Sequence, residues 1–287
     1  ALLLLAVFVP FMAAIQFATY SLPDNDGYYH IRMAALMREQ GLTPEFPWLP
    51  LTILNPREYA DHHLLYHVAL MPFSLLDLRL GAKWSAVVLA SFAFLAVWWL
   101  LRGQGVRHAH LWAVGLLATS DAFLFRMSVT RAQSLSLAML ALGMHWLLRG
   151  RTGRLAALAF FYVWTYDGFP LLALLGVAHA AAVWLVEGRF HGRALAAIGA
   201  GTALGLVVNP YFPRNVVFLY RHLLPKLLSA TATSVGSEWY PYSTTQLLEN
   251  SSLALAAFVA GALALGLARR RMTVATATSF VVAVLFG

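Results

Sequence analysis

Asp24-Asn25-Asp26-Gly27-Tyr28-Tyr29-His30 packs two carboxylates, two phenols and an imidazole into seven residues, directly after the apolar run at 2–19. Ionisable groups beside a membrane span are costly to bury and are often retained for a task. Carboxylates two residues apart can share one divalent cation through oxygen ligands. Either Asp24 or Asp26 can also accept the proton of an attacking group. The plainer alternative is a solvated loop that happens to carry acids.

Three other clusters have chemistry in them. Asp61-His62-His63-Leu64-Leu65-Tyr66-His67 sets His63 and His67 one helical turn apart, a spacing at which two imidazoles can bind one metal. No Glu follows in the HExxH position, which argues against a zinc protease, and histidines at a membrane interface also simply bond headgroups. Arg126, Arg131 and Arg214 carry guanidinium forks that match a phosphate, although arginines at span ends also snorkel routinely. Ser237-Glu238-Trp239-Tyr240 sets an acid among aromatics, where an interfacial belt would need only the rings.

Composition says what must position these groups. The chain of 287 residues is 60% hydrophobic and 11% charged, with a mean hydropathy of +0.69, far from the balance of a soluble globular protein. With no cysteine there is no disulfide, thiolate nucleophile or cysteine-bound metal. The missing initiator Met and the apolar run at 279–287 suggest a piece trimmed at both ends. Residues 2–19 lack the basic flank of a cleavable signal peptide. The expected fold is all-α: a polytopic transmembrane bundle forming a single domain over 1–287. About nine spans fall near 2–19, 83–101, 108–121, 131–149, 153–166, 169–187, 194–209, 250–268 and 272–287.

Charge placement orients that bundle. Pro72, Asp61 and Asp77 make 64–78 a candidate helix lying at the interface rather than a span. Short loops on one side then collect Arg102, Arg107, Arg149, Arg151, Arg154, Arg189, Arg193 and Arg269–271, ten of the 20 basic residues, while of the 12 acids only Glu187 joins them. The positive-inside rule makes that side cytoplasmic. The net charge of +8 is thus a membrane bias, and no nucleic-acid partner is expected. The long first loop 20–82, the loop 210–249 and the turn at Asp167-Gly168 face outward. Gly201-Thr202-Ala203-Leu204-Gly205 is a small-residue pattern for close helix packing. Asn250-Ser251-Ser252 reads better as a helix N-cap than as a glycosylation sequon.

The order of these features resembles the GT-C membrane glycosyltransferases, and within them the catalytic subunit of oligosaccharyltransferases. Asn25-Asp26-Gly27-Tyr28 opens the first outer loop, Tyr166-Asp167-Gly168-Phe169 is similar to an aromatic-Gly turn, and Ser234-Val235-Gly236-Ser237-Glu238 resembles the outer-loop motif that ends in Glu, with one extra residue. The resemblance implies transfer of a sugar from a polyprenyl phosphate or pyrophosphate donor on the outer face of the cytoplasmic membrane, with membrane lipids around it and the acceptor unspecified. It implies roles for Asp26 and Glu238 at a metal and the acceptor. Mg²⁺ or Mn²⁺ would suit ligands drawn from Asp26, Asp61, His62, His63 and Glu238, an imidazole favouring Mn²⁺. Two departures stand out. Arg131-Ala132-Gln133 occupies the place of the family's second acidic motif, and an Asp-His-His run of that kind lies in the first loop instead. A non-catalytic scaffold or degenerate homologue and a transporter are the alternatives; few charges at mid-span count against transport.

Overall fold

The computed structural model describes residues 1–190, 192–229, 243–267 and 272–286, and among them every regular element is helical. Leu- and Ala-rich runs form α1 (Leu2–Phe17), α4 (Leu78–Gly103), α7 (Gln133–Leu148), α8 (Thr152–Thr165), α9 (Pro170–Glu187), α10 (Arg193–Val207), α12 (Thr244–Leu267) and α13 (Val274–Phe286). Between them lie α2 (Asp26–Gln40), the short α3 (Leu64–Leu70), α5 (Ala109–Gly115), α6 (Asp121–Ser128) and α11 (Arg214–Ser229). Local chemistry marks the boundaries. Asp77 accepts the Leu80 N–H at 3.1 Å to start α4, Ser120 accepts that of Phe123 at 3.2 Å to start α6, and Pro170 opens α9, where its missing N–H costs nothing.

Among the described residues, three helices are long and apolar enough to cross a membrane: α4, α9 and α12. At 1.5 Å per residue, the 16 residues of α1 or α7 reach about 24 Å, short of a hydrocarbon core of about 30 Å. α12 buries none of its residues, although everything from Leu253 to Leu267 is apolar. Water does not tolerate so continuous an apolar surface, and a bilayer does. The chain is a membrane protein.

Residues 20–82 are not an open loop. The helix expected at 64–78 is two pieces, α3 and a 3-10 turn at Phe73–Leu75, separated by Met71-Pro72. Seven residues span only about 10 Å, far too little to cross. Nor does α3 lie flat against lipid, because Leu64, Tyr66, His67 and Leu70 are all buried in the protein. α2 packs beside it through Ile31 and Ala34. The helix at 250–268 begins earlier, at Thr244, and breaks at Ser251 (φ −143°, ψ 25°), whose hydroxyl lies 2.8 Å from that of Ser120.

Close approach orders the helices. A Cβ at Gly201 would lie 2.1 Å from the Ala156 carbonyl oxygen and one at Gly205 2.7 Å from that of Phe160, so α8 and α10 run side by side in the same direction at near-backbone contact. α4 and α7 also run parallel. Thr130, just before α7, donates to Ala82 O at 3.1 Å, and Arg149, just after it, donates to Gly103 O. One end of the bundle therefore gathers the starts of α4 and α7 with the end of α8. The other gathers Arg102, Arg149, Arg151 and Arg154. Lys83, fully buried near the start of α4, donates to Gln16 O (2.6 Å) and Thr19 O (2.5 Å) and so terminates α1 with a positive charge. That contact holds the chain where it enters the acidic segment at Asp24.

Candidate functional site

Asp24 and Asp26 converge on one arginine. Oδ1 of Asp24 accepts the Gly27 N–H at 3.1 Å, and its Oδ2 accepts Nε–H of Arg131. A second arm of the same guanidinium lies 2.9 Å from Oδ2 of Asp26. Asp24 is mostly shielded from solvent, whereas the Asp26 side chain is 56% exposed in the first turn of α2, whose helix dipole favours its charge. Arg131 is carried on a segment anchored to α4 through Thr130. The residue expected to clamp a phosphate thus spans the two carboxylates expected to share a cation.

A second cluster lies behind it. Nδ1 of His67 is 2.7 Å from Oδ2 of Asp61, and Nε2 of His67 is 2.8 Å from Nδ1 of His30. Asp61 Oδ1 accepts the His63 N–H at 2.9 Å. With Asp61 ionised, His67 donates through Nδ1. When its Nε2 then accepts, His30 must donate through Nδ1 and carries its lone pair on Nε2. Burial would push the Asp61 carboxyl up, but the charge and hydrogen bond of His67, with His62 and the His63 amide, hold it below its ordinary value. Burial pushes His30 and His63 well below the ordinary imidazole range, with neighbouring histidines adding to the effect, and pushes His62 down as well. Tyr29 and Tyr59 close the cluster, their hydroxyls 3.3 Å apart, and burial moves both phenols far upward.

The third group comes from later in the chain. His222 on α11 lies 3.0 Å from Asp167 in the turn after α8. Phe218 stacks on both His62 (4.5 Å between ring centroids) and His222 (4.9 Å). A small cavity of about 20 Å³, walled in part by Val163, Phe169 and Leu206, is reached by Asp61, His62, Asp167, Asn209 and Asn215. That is the space of one water molecule. His62 Nδ1 and Asn215 Oδ1 are buried without a hydrogen-bond partner among the described residues, as a bridging water would require.

The described part of the expected metal set does not fit a shared cation. Asp26 faces Arg131, Asp61 faces His67, and both ring nitrogens of His67 are engaged, so His63 and His67 cannot form the two-imidazole site that their spacing suggests. Among the described residues no three His, Asp or Glu side chains stand in a metal-holding arrangement. Glu238 lies outside the described residues. Arg126 is in the last turn of α6, and Arg214 is exposed at the start of α11 with its guanidinium 5.9 Å from the Tyr211 ring centroid. His30, Asp167 and His222 carry much of the site without having been singled out as site residues, and His67, noted only as a possible metal ligand with His63, instead bridges Asp61 and His30. The composition of the first seven-residue segment and of the Asp167 turn was the only available signal, since pairing across about 55 residues leaves no local mark. Compared with family models, characterised proteins and solved structures, the chain gives no match.

Proposed function

We propose that the chain is a membrane glycosyltransferase that moves a sugar or glycan from a polyprenyl phosphate or pyrophosphate donor to an acceptor at the end bearing Asp24, Asp26 and Asp61. One observation supports this reading above the others. Asp26 is a half-exposed carboxylate at a helix N-terminus, and the guanidinium 2.9 Å away is a group that a leaving phosphate would also attract. In the proposed step the acceptor's O–H or N–H attacks the anomeric carbon and its proton passes to Asp26. The bond from that carbon to the phosphate oxygen breaks with both electrons on oxygen, and Arg131 shifts from Asp26, neutral once protonated, toward the new phosphate charge. Arg126 and Arg214 are the further donor-phosphate contacts in this reading, Asp24 is the second acid and Glu238 an acceptor-side carboxylate. No step runs through Mg²⁺ or Mn²⁺. A cation at Asp24 and Asp26 would have to displace Arg131.

The nine-span topology belongs to the same reading. The shorter apolar helices cross with α4, α9 and α12, the arginine end is cytoplasmic, and the carboxylate end faces outward from the inner membrane. A scaffold role is the second reading, favoured by the pairing of both first-loop carboxylates with Arg131. Purified protein incubated with a polyprenyl-phosphate-linked sugar, with and without divalent cations, tests the proposal. Donor consumption supports it. A protein that binds the donor without consuming it, with or without cation, supports the scaffold.

A further inference from the structure

At the arginine end, a cavity of about 520 Å³ opens between α4, α7, α12 and α13, within the range that holds drug-sized ligands (roughly 300–1,000 Å³). Its walls are hydrocarbon, with Leu100, Leu101, Leu148 and Phe258 among them. Its rim is not. Gln104 lines it, and the Gln104 Nε2 is a buried donor with no hydrogen-bond partner. Thr273, on the opposite wall, opens α13, so the positive end of that helix dipole faces the same rim. Just past the lining residue Leu148, the exposed Arg149 donates to Gly103 O, next to Gln104, so its guanidinium stands at the same rim, whereas the Arg102 guanidinium lies over the Trp98 ring on another face of α4.

We infer that this groove binds an anionic glycerophospholipid, with an acyl chain between α4 and α12 and the phosphate at the Gln104 rim. Charge complementarity selects the occupant. A neutral lipid or detergent would fill the apolar walls equally well, but it would leave the unpartnered amide, the helix terminus and the Arg149 guanidinium without an anion. Basic pockets between membrane helices hold acidic headgroups in this way, each cation contributing about 1 kcal/mol. The inference does not depend on the transferase reading, because it concerns the opposite end of the bundle.

Full-length protein reconstituted in mixed phosphatidylcholine and phosphatidylglycerol, then extracted and weighed by native mass spectrometry, should retain phosphatidylglycerol in preference. Arg149→Gln should lower that preference about fivefold, and Gln104→Leu should lower it without altering charge. Gly261→Phe tests the chain pocket, since a side chain built at Gly261 meets nothing within 4 Å and would fill the groove. Equal retention of the two lipids by the wild type, or an unchanged preference in the Gln104 and Arg149 variants, overturns the inference. Release of the lipid by inorganic phosphate alone would also overturn it, making the rim a phosphate site instead of a lipid site.

Discussion

Nδ1 of His67 lies 2.7 Å from Oδ2 of Asp61, and neither side chain is exposed to solvent. A buried carboxylate joined to a buried imidazole is strongly coupled, because removing one partner leaves the other desolvated and unpaired. Asp61→Leu should therefore destabilise the protein by about 3 kcal/mol, and Asp61→Leu with His67→Phe should lose less than the sum of the single changes. Thermal unfolding in detergent of the two single variants and the double variant measures this. Strict additivity would show that the pair is not coupled.

Acid should weaken the same region in two stages. His30 and His63 are held neutral below their ordinary value of 6.5, so the unfolded chain binds protons before the folded one. The stability they contribute is present above about pH 6.5 and falls as pH drops below it. Asp61, held below 3.8, adds a second loss at lower pH, as acid drops through its folded value. Melting temperature measured from pH 8 to pH 4 should decline first below about 6.5. His30→Phe should flatten that decline, and a profile unchanged by the substitution would remove His30 as its cause.

Gly201 is where α8 and α10 come closest. A methyl at this position would lie 2.1 Å from the Ala156 oxygen, a backbone atom that cannot swing aside. Gly201→Ala should cost about 1–3 kcal/mol by overpacking, and Gly201→Leu more. Gly199, on the same helix with nothing within 4 Å of its added Cβ, should accept alanine without loss. Equal thermal stability of Gly201→Ala and Gly199→Ala would contradict the close approach.

That contact also marks how far the sequence could be read. Gly201 and Gly205, four residues apart, share a helix face, and a face of small residues says that something packs there; the pattern needed no partner to be visible. Each apolar stretch read as a span likewise contains a helix, because its period and length are local properties. Asp24, Asp26, Asp61, His62 and His63 stood out as ionisable groups beside apolar runs. Their pairings did not. Arg131 meets Asp24 across 107 positions and His30 meets His67 across 37, and neither pairing leaves a trace in local composition. The 64–78 stretch misled because Pro72 hides that its apolar face turns into the protein and not toward lipid.

The two ends of the bundle give a topology that thiol chemistry can read, since the chain has no native cysteine. Cysteines placed at Arg151 and Arg189 should resist an impermeant reagent applied to intact cells, while cysteines at Asp26 and Tyr20 should react. Labelling at 151 from outside would reverse the orientation and remove the outward-facing site.

Turnover of a polyprenyl-phosphate-linked sugar by wild-type protein and by Asp26→Ala, purified side by side, bears most directly on the proposed transfer. Asp26 is half-exposed and its loss should leave the helices folded, so circular dichroism should match between the two. The account predicts donor consumption by the wild type and a fall of at least about a hundredfold in the variant, the scale of a lost general base. Undiminished transfer by Asp26→Ala, at equal fold, would contradict it.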